Sequence, residues 1–184
     1  MKAYHGSHLS GLKGLTYTEE NSRFGGDANL VHGAGIYLTL SKNEAKAYAT
    51  SSLYTLEVTG DIFDATDEEV LQEYVKQLLK SWDVDLQLAE NSTIQNLIKQ
   101  TARGDTSGVY FGKNLSDVFS NDISLYSYIL QDKFNDDIDA LCESAEQAFQ
   151  YNLIKIRHKG NGTNWIICLD HEGSGLEIIN EEVI

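Results

Sequence analysis

Apolar and polar positions change their period twice along the chain, from strand-like to helical and back. Ala3-Tyr4-His5-Gly6-Ser7 reads as a short strand running into a loop punctuated by Gly6, Gly11 and Gly14. Gly35-Ile36-Tyr37-Leu38-Thr39 reads as a buried strand. Ser41 followed by Glu44 is a capping box, so a helix is predicted to start there and run to Ala49. Leu53 to Val58 alternates, with Leu53, Thr55 and Glu57 on one side and Tyr54, Leu56 and Val58 on the other. Asp61-Ile62-Phe63-Asp64 reads as the turn after that strand.

The middle is helical in period. Thr66 and Glu69 form a second capping box, ahead of Val70, Leu71, Tyr74, Val75, Leu78 and Leu79 at helical spacing. Ser92 with Gln95 opens a third helix with Ile94, Leu97 and Ile98 on its apolar face. Gly104 to Gly112 interrupts the pattern, and Ile123 to Leu130 fits helix and strand equally well. Asn135 is read as the cap of a helix whose inner face is Ile138, Leu141, Cys142, Ala145, Ala148 and Phe149. Strand-like runs then return at 152–156, 165–169 and 176–179. Strands, then helices, then strands predict an α+β fold rather than a regular βαβ alternation.

Composition narrows the function classes. A chain of 184 residues, 41% hydrophobic and 23% charged, fits one domain spanning 1–184 with a sizeable core. No apolar run approaches the ~18 residues of a membrane span, and Met1-Lys2-Ala3-Tyr4-His5 does not look like a signal peptide. Membrane insertion and standard secretion are therefore not expected. Cys142 and Cys168 are the only cysteines, which excludes a disulfide scaffold and suits a reducing cytoplasm. His5, His8 and His32 match no metal-ligand spacing, so no metal is expected. Twenty-eight acids against fourteen bases give −14, a balance that repels nucleic-acid phosphates. General solubility, a basic protein partner and mimicry of nucleic-acid charge all remain open on that count.

Two segments carry the candidate chemistry. Tyr4-His5-Gly6-Ser7 puts an imidazole, a glycine and a hydroxyl at a strand end. Gly35-Ile36-Tyr37 is followed, eleven residues after Tyr37, by Tyr48. A reversal between Thr39 and Ser41 folds the helix back over the strand and brings both phenol rings toward one cleft. Two such rings can sandwich a flat heteroaromatic ligand, each face contact contributing on the order of 1 kcal/mol. A glycine beside the histidine lets a ligand amide approach the backbone. Each residue alone is compatible with packing; the set is what points to a site. Arg23 is one of the few early cations and suits either a cofactor phosphate or the surface.

His5-Gly6-Ser7 with Gly35-Ile36-Tyr37 and Tyr48 resembles the nicotinamide-binding motifs of the ADP-ribosyltransferase superfamily, most closely its diphtheria-toxin and poly(ADP-ribose) polymerase branch. The resemblance covers roughly 1–60 and 150–184. It implies a split antiparallel β-sheet core, with the helical stretch at about 66–150 as an insertion. It also implies NAD as co-substrate. Gly6 would hold the nicotinamide carboxamide with help from Ser7. His5 would bond the adjacent ribose, and Tyr37 and Tyr48 would cover the two ring faces. The family's acid opens a late strand, and Asn164 stands in that slot in Thr163-Asn164-Trp165-Ile166-Ile167. His5, Tyr37 and Asn164 are thus the expected catalytic set. Asp136, Asp137 and Asp170 are the acids considered as substitutes for the missing charge.

Cleavage of the nicotinamide–ribose bond builds positive charge on the ribose, as in glycoside cleavage. One lost electrostatic group costs ~10²–10³ in rate. The resemblance therefore implies a mono-ADP-ribosyltransferase acting on a macromolecule, a protein that is basic or associated with nucleic acid. Small phage-borne and toxin-like members modify host or immune proteins. The rival expectation is an acidic binding module or inhibitor of the same fold, impaired at Asn164 and engaging a basic partner. Transfer of an RNA 2′-phosphate to NAD needs a basic site, which the charge balance disfavours.

Overall fold

A computed structural model describes residues 1–18, 35–104, 122–158 and 162–184. Arg23, His32 and all but the first residue of the Gly104 to Gly112 interruption lie outside those residues. The chain divides into two compact units, Met1–Asp64 with Tyr151–Ile184, and Ala65–Gln150.

Among the described residues the first unit is a mixed seven-stranded sheet with one helix. Its strands are β1 (Lys2–Ser7), β2 (Ile36–Thr39), β3 (Ser52–Val58), β4 (Ile62–Asp64), β5 (Leu153–Arg157), β6 (Asn164–Cys168) and β7 (Leu176–Val183). They lie in the order β4-β5-β6-β2-β1-β3-β7. Helix α1 (Lys42–Tyr48) follows β2 directly, and the Ser41 hydroxyl accepts from the Glu44 amide at 3.3 Å to cap it. On one face of the sheet Ala3, Ile36, Leu38, Tyr54, Leu56, Leu153, Ile166 and Cys168 share one core. Full burial of a leucine or isoleucine contributes roughly 1.5–3 kcal/mol, so this row is a main source of stability.

One segment read as a turn is a strand. Ile62–Asp64 pairs in parallel with β5, through Ile62↔Leu153 and Asp64↔Lys155, and Lys155 Nζ meets Asp64 Oδ2 at 2.6 Å. This pair departs from the antiparallel sheet expected. The chain between β4 and β5 is the long stretch 65–150, and a connection of that length permits a parallel return that a hairpin cannot make.

The second unit is helical: α2 (Glu68–Ser81), a 3₁₀ turn (Leu86–Glu90), α3 (Ser92–Arg103), a helical run α4 and α5 (Ile138–Ala148). The α4 run consists of Ile123–Leu125, a π-helical Tyr126–Gln131 and Asp132–Phe134, so the ambiguous segment is helix. The N-caps are Asp67, Asn91 and Asp137, not Thr66, Ser92 and Asn135. Asn135 instead takes a left-handed backbone with φ 51, a conformation asparagine tolerates. Gly104, at φ 73, ends α3 in the same region. Tyr74 donates to Ala145 O at 3.3 Å, and Trp82 Nε1 donates to Ser144 Oγ at 2.9 Å, joining α2 to α5.

Candidate functional site at the β1–β2 seam

The seam between β1 and β2 is much shorter than its neighbours. β1 pairs with β3 at every residue from Lys2↔Glu57 to Ser7↔Ser52, but with β2 only at Tyr4↔Thr39. The hydrogen-bond phase says what this leaves behind. Val58 N donates to Met1 O at 2.7 Å, and Ser7 O accepts from Ser51 N at 3.0 Å. Odd residues of β1 therefore bond β3, while Tyr4 and Gly6 turn their amides and carbonyls toward β2. Continuing the ladder would oppose Gly6 to Tyr37, yet that pair is not formed. The His5 imidazole takes the carbonyl instead, with Nδ1 2.9 Å from Tyr37 O.

A carbonyl can only accept, so Nδ1 carries the proton and Nε2 is left as an acceptor. Desolvation is the main cause holding the His5 pKa below its ordinary 6.5; the bond to Tyr37 opposes it, and His8 adds to the lowering. His5 is thus neutral at pH 7, with one nitrogen fixed and the other available to a hydroxyl donor.

Gly6 is a glycine for a different steric reason from the one its sequence context suggests. A Cβ there would sit 2.2 Å from Ala45 O and 2.6 Å from Ala49 N. The missing side chain makes room for α1, not for a ligand. What Gly6 offers a ligand is its peptide edge, outside the β1–β2 ladder. Ser7 is buried, and its hydroxyl accepts from Leu9 N at 3.0 Å, turning the chain after β1.

The close seat of α1 brings Tyr48 near Tyr37, but the two rings meet through a third. Trp165 lies edge-on to Tyr37, with centroids 6.2 Å apart at 78°, and to Tyr48, at 5.6 Å and 86°. His158 stacks on the same indole at 4.5 Å and 17°. The expected pair of tyrosines is therefore part of a cluster of four rings that includes Trp165 and His158.

Register explains the meeting: Thr39↔Trp165 and Tyr37↔Ile167 put Tyr37, Thr39 and Trp165 on one sheet face. Asn164 has the opposite parity, that of the core residues Ile166 and Cys168. Its Oδ1 is buried with no hydrogen-bond partner among the described residues. An orphaned acceptor typically costs about 1–3 kcal/mol, so a donor arriving there would be welcome.

Each of the acids Asp136, Asp137 and Asp170 has a local structural role within its own unit. Asp170 belongs to the turn after β6, accepting from Glu172 N at 3.0 Å and Ser174 N at 3.3 Å. Hydrogen bonding, from Ser174 first and Glu172 next, holds its carboxyl below the usual range. Asp137 caps α5 through Ala140 N, and Asp136 sits in the left-handed turn before it.

The carboxylate at the cluster is Glu44. It accepts from Trp165 Nε1 at 2.9 Å, Thr39 Oγ1 at 2.6 Å and Thr163 Oγ1 at 2.9 Å. The capping-box pattern assigns that carboxylate to the Ser41 amide. Ser41 N donates to Thr39 Oγ1 instead, at 3.1 Å.

Among the described residues no group of three His, Cys, Asp or Glu is arranged to hold a metal ion, and no helix is long and apolar enough to cross a membrane. No family model and no curated protein matches the chain. Among solved structures, one described as the crystal structure of an anti-CRISPR protein is similar at 16% identity, covering 100% of this chain and 95% of that one, with a TM-score of 0.38. A likeness of that degree carries no functional argument.

Proposed function

We propose that this chain is an NAD-dependent mono-ADP-ribosyltransferase that modifies a protein, built on a split sheet core that opens at the β1–β2 seam. The observation that carries the reading is the interrupted ladder: His5 occupies Tyr37 O, and the peptide edge of Gly6 falls outside the ladder. A primary carboxamide has one acceptor and one donor side by side, which complement the N–H and C=O of one glycine in an extended strand. Tyr37 and Tyr48 then supply the aromatic faces for a pyridine ring, with Trp165 behind them. His5 Nε2 is an acceptor suited to a ribose hydroxyl, whereas Asn164 Oδ1 is buried on the sheet face opposite the rings.

Asn164 brings no charge to the developing oxocarbenium, so turnover is expected to be slow relative to an enzyme with a carboxylate there. The same substitution, with the net charge of −14, favours one rival: a module of this fold that binds a basic partner without cleaving NAD. Incubation with NAD labelled in the adenylate half and a lysate separates them. The transferase releases nicotinamide and labels one polypeptide; the module does neither, and its complex dissociates as salt rises. Absence of both nicotinamide release and label would sink the transferase reading.

A further inference from the structure

Glu44 joins three pieces of the site. It lies in the first turn of α1, yet its carboxylate accepts from the last residue of β2, Thr39, and from Thr163 and Trp165 on either side of Asn164. We propose that Glu44 is a positioning residue for the aromatic slot: it orients the Trp165 indole, and through it the angle at which Tyr37 and Tyr48 meet a bound ring. This rests on the NAD-binding reading above.

Capping does not account for the carboxylate, because the Ser41 amide is already satisfied by Thr39. Geometry points to the indole. An indole N–H has one direction, and here it is shared between Glu44 Oε1 at 2.9 Å and Thr163 Oγ1 at 3.2 Å. Glu44 also holds that threonine hydroxyl, so the carboxylate fixes the plane of the ring directly and through Thr163. Two phenols abut that ring edge-on at 78° and 86°, and an imidazole stacks on it at 17°. Edge-to-face and stacked contacts are angle-dependent, so a turn of the indole shifts all three neighbours. The two threonine hydroxyls brace the carboxylate itself, and charge-assisted bonds of this kind are roughly twice as strong as neutral ones. The family pattern offers no equivalent assignment, since its acid sits on the late strand, where this chain has Asn164.

The test compares Glu44→Ala and Glu44→Gln with wild type in two readouts. Steady-state nicotinamide release gives KM for NAD and kcat. The indole Nε1–H resonance of Trp165, identified by its loss in Trp165→Phe, reports the Glu44 bond without NAD.

Glu44→Ala is expected to raise KM about tenfold, with kcat changed less than about threefold, since it removes a charged hydrogen-bond partner. It should also move the indole proton upfield. Glu44→Gln keeps an acceptor oxygen and should recover part of both effects. An unchanged KM and indole resonance in Glu44→Ala overturns the proposal. So does a loss of activity that merely tracks the fraction unfolded, with the KM of the folded fraction unaltered. Wild type that neither binds nor cleaves NAD overturns the parent reading and this role together. Wild type that cleaves NAD with unaffected Glu44 variants overturns this role alone.

Discussion

His5 is held neutral, and that sets an acid limit on stability and, for the proposed transferase, on activity. Its native pKa lies below 6.5, mainly through desolvation, so the unfolded chain takes up the proton first as pH falls. More protons bound in the unfolded state means stability rising with pH, so this contribution is intact above 6.5 and is lost on acidification through it. Protonation also removes the Nε2 acceptor. The acid limb of kcat/KM should therefore have its midpoint below 6.5, and a pH–rate profile reads it directly.

At Asn164 the prediction concerns charge: Asn164→Asp, nearly isosteric, should speed nicotinamide release at least about tenfold, toward the ~10²–10³ typical of one well-placed electrostatic group. No acceleration would mean that position 164 does not face the developing charge. The placement of His5 and Gly6 on β1, Tyr37 on β2 and Tyr48 at the end of α1 was legible in the sequence because short motifs fix local geometry. Glu44 was not, because its capping-box spacing already supplied a sufficient local account; the competing donors, Thr163 and Trp165, come from more than a hundred residues away.

Between elements, the decisive contact is α1 on β1. Gly6→Ala would drive a Cβ into backbone at 2.2 Å from Ala45 O, which no rotamer can relieve. Overpacking of this kind costs typically 1–3 kcal/mol, so thermal unfolding should report a lower Tm. Weaker NAD binding should accompany it, because Tyr48 rides on the displaced helix. Strand and helix positions were largely readable from period alone, and the failures are instructive. Thr66-Asp67, Asn91-Ser92 and Asn135-Asp136-Asp137 each offer several cap-competent side chains in a row, so composition cannot choose among them. Asp61 and Asp64 gave a turn-like look to a strand of only three residues, Ile62–Asp64, and its partner β5 lies far along the chain. Parallel pairing of that kind leaves no local signal.

At the scale of the molecule the net charge of −14 opposes any polyphosphate ligand. Raising salt from about 0.01 M to about 0.1 M shortens the Debye length from ~30 to ~10 Å and should lower KM for NAD, the opposite of a basic nucleotide-binding surface. A KM that climbs with salt would point instead to cations gathered at the site. The buried Cys168 thiol, pushed up to about 11 chiefly by desolvation, should resist alkylation at mildly alkaline pH in the folded protein and react once it unfolds. Thiol titration with and without denaturant measures this.

The central claim, that the open β1–β2 seam is a nicotinamide slot, is tested most directly by following free nicotinamide and intact-protein mass together, for wild type and His5→Ala, in a lysate supplied with NAD. Nicotinamide release with one added ADP-ribose mass on a polypeptide, both abolished by His5→Ala while the variant stays folded, is the predicted result. Release and added mass that persist unchanged in folded His5→Ala, or a wild type that yields neither, would contradict it.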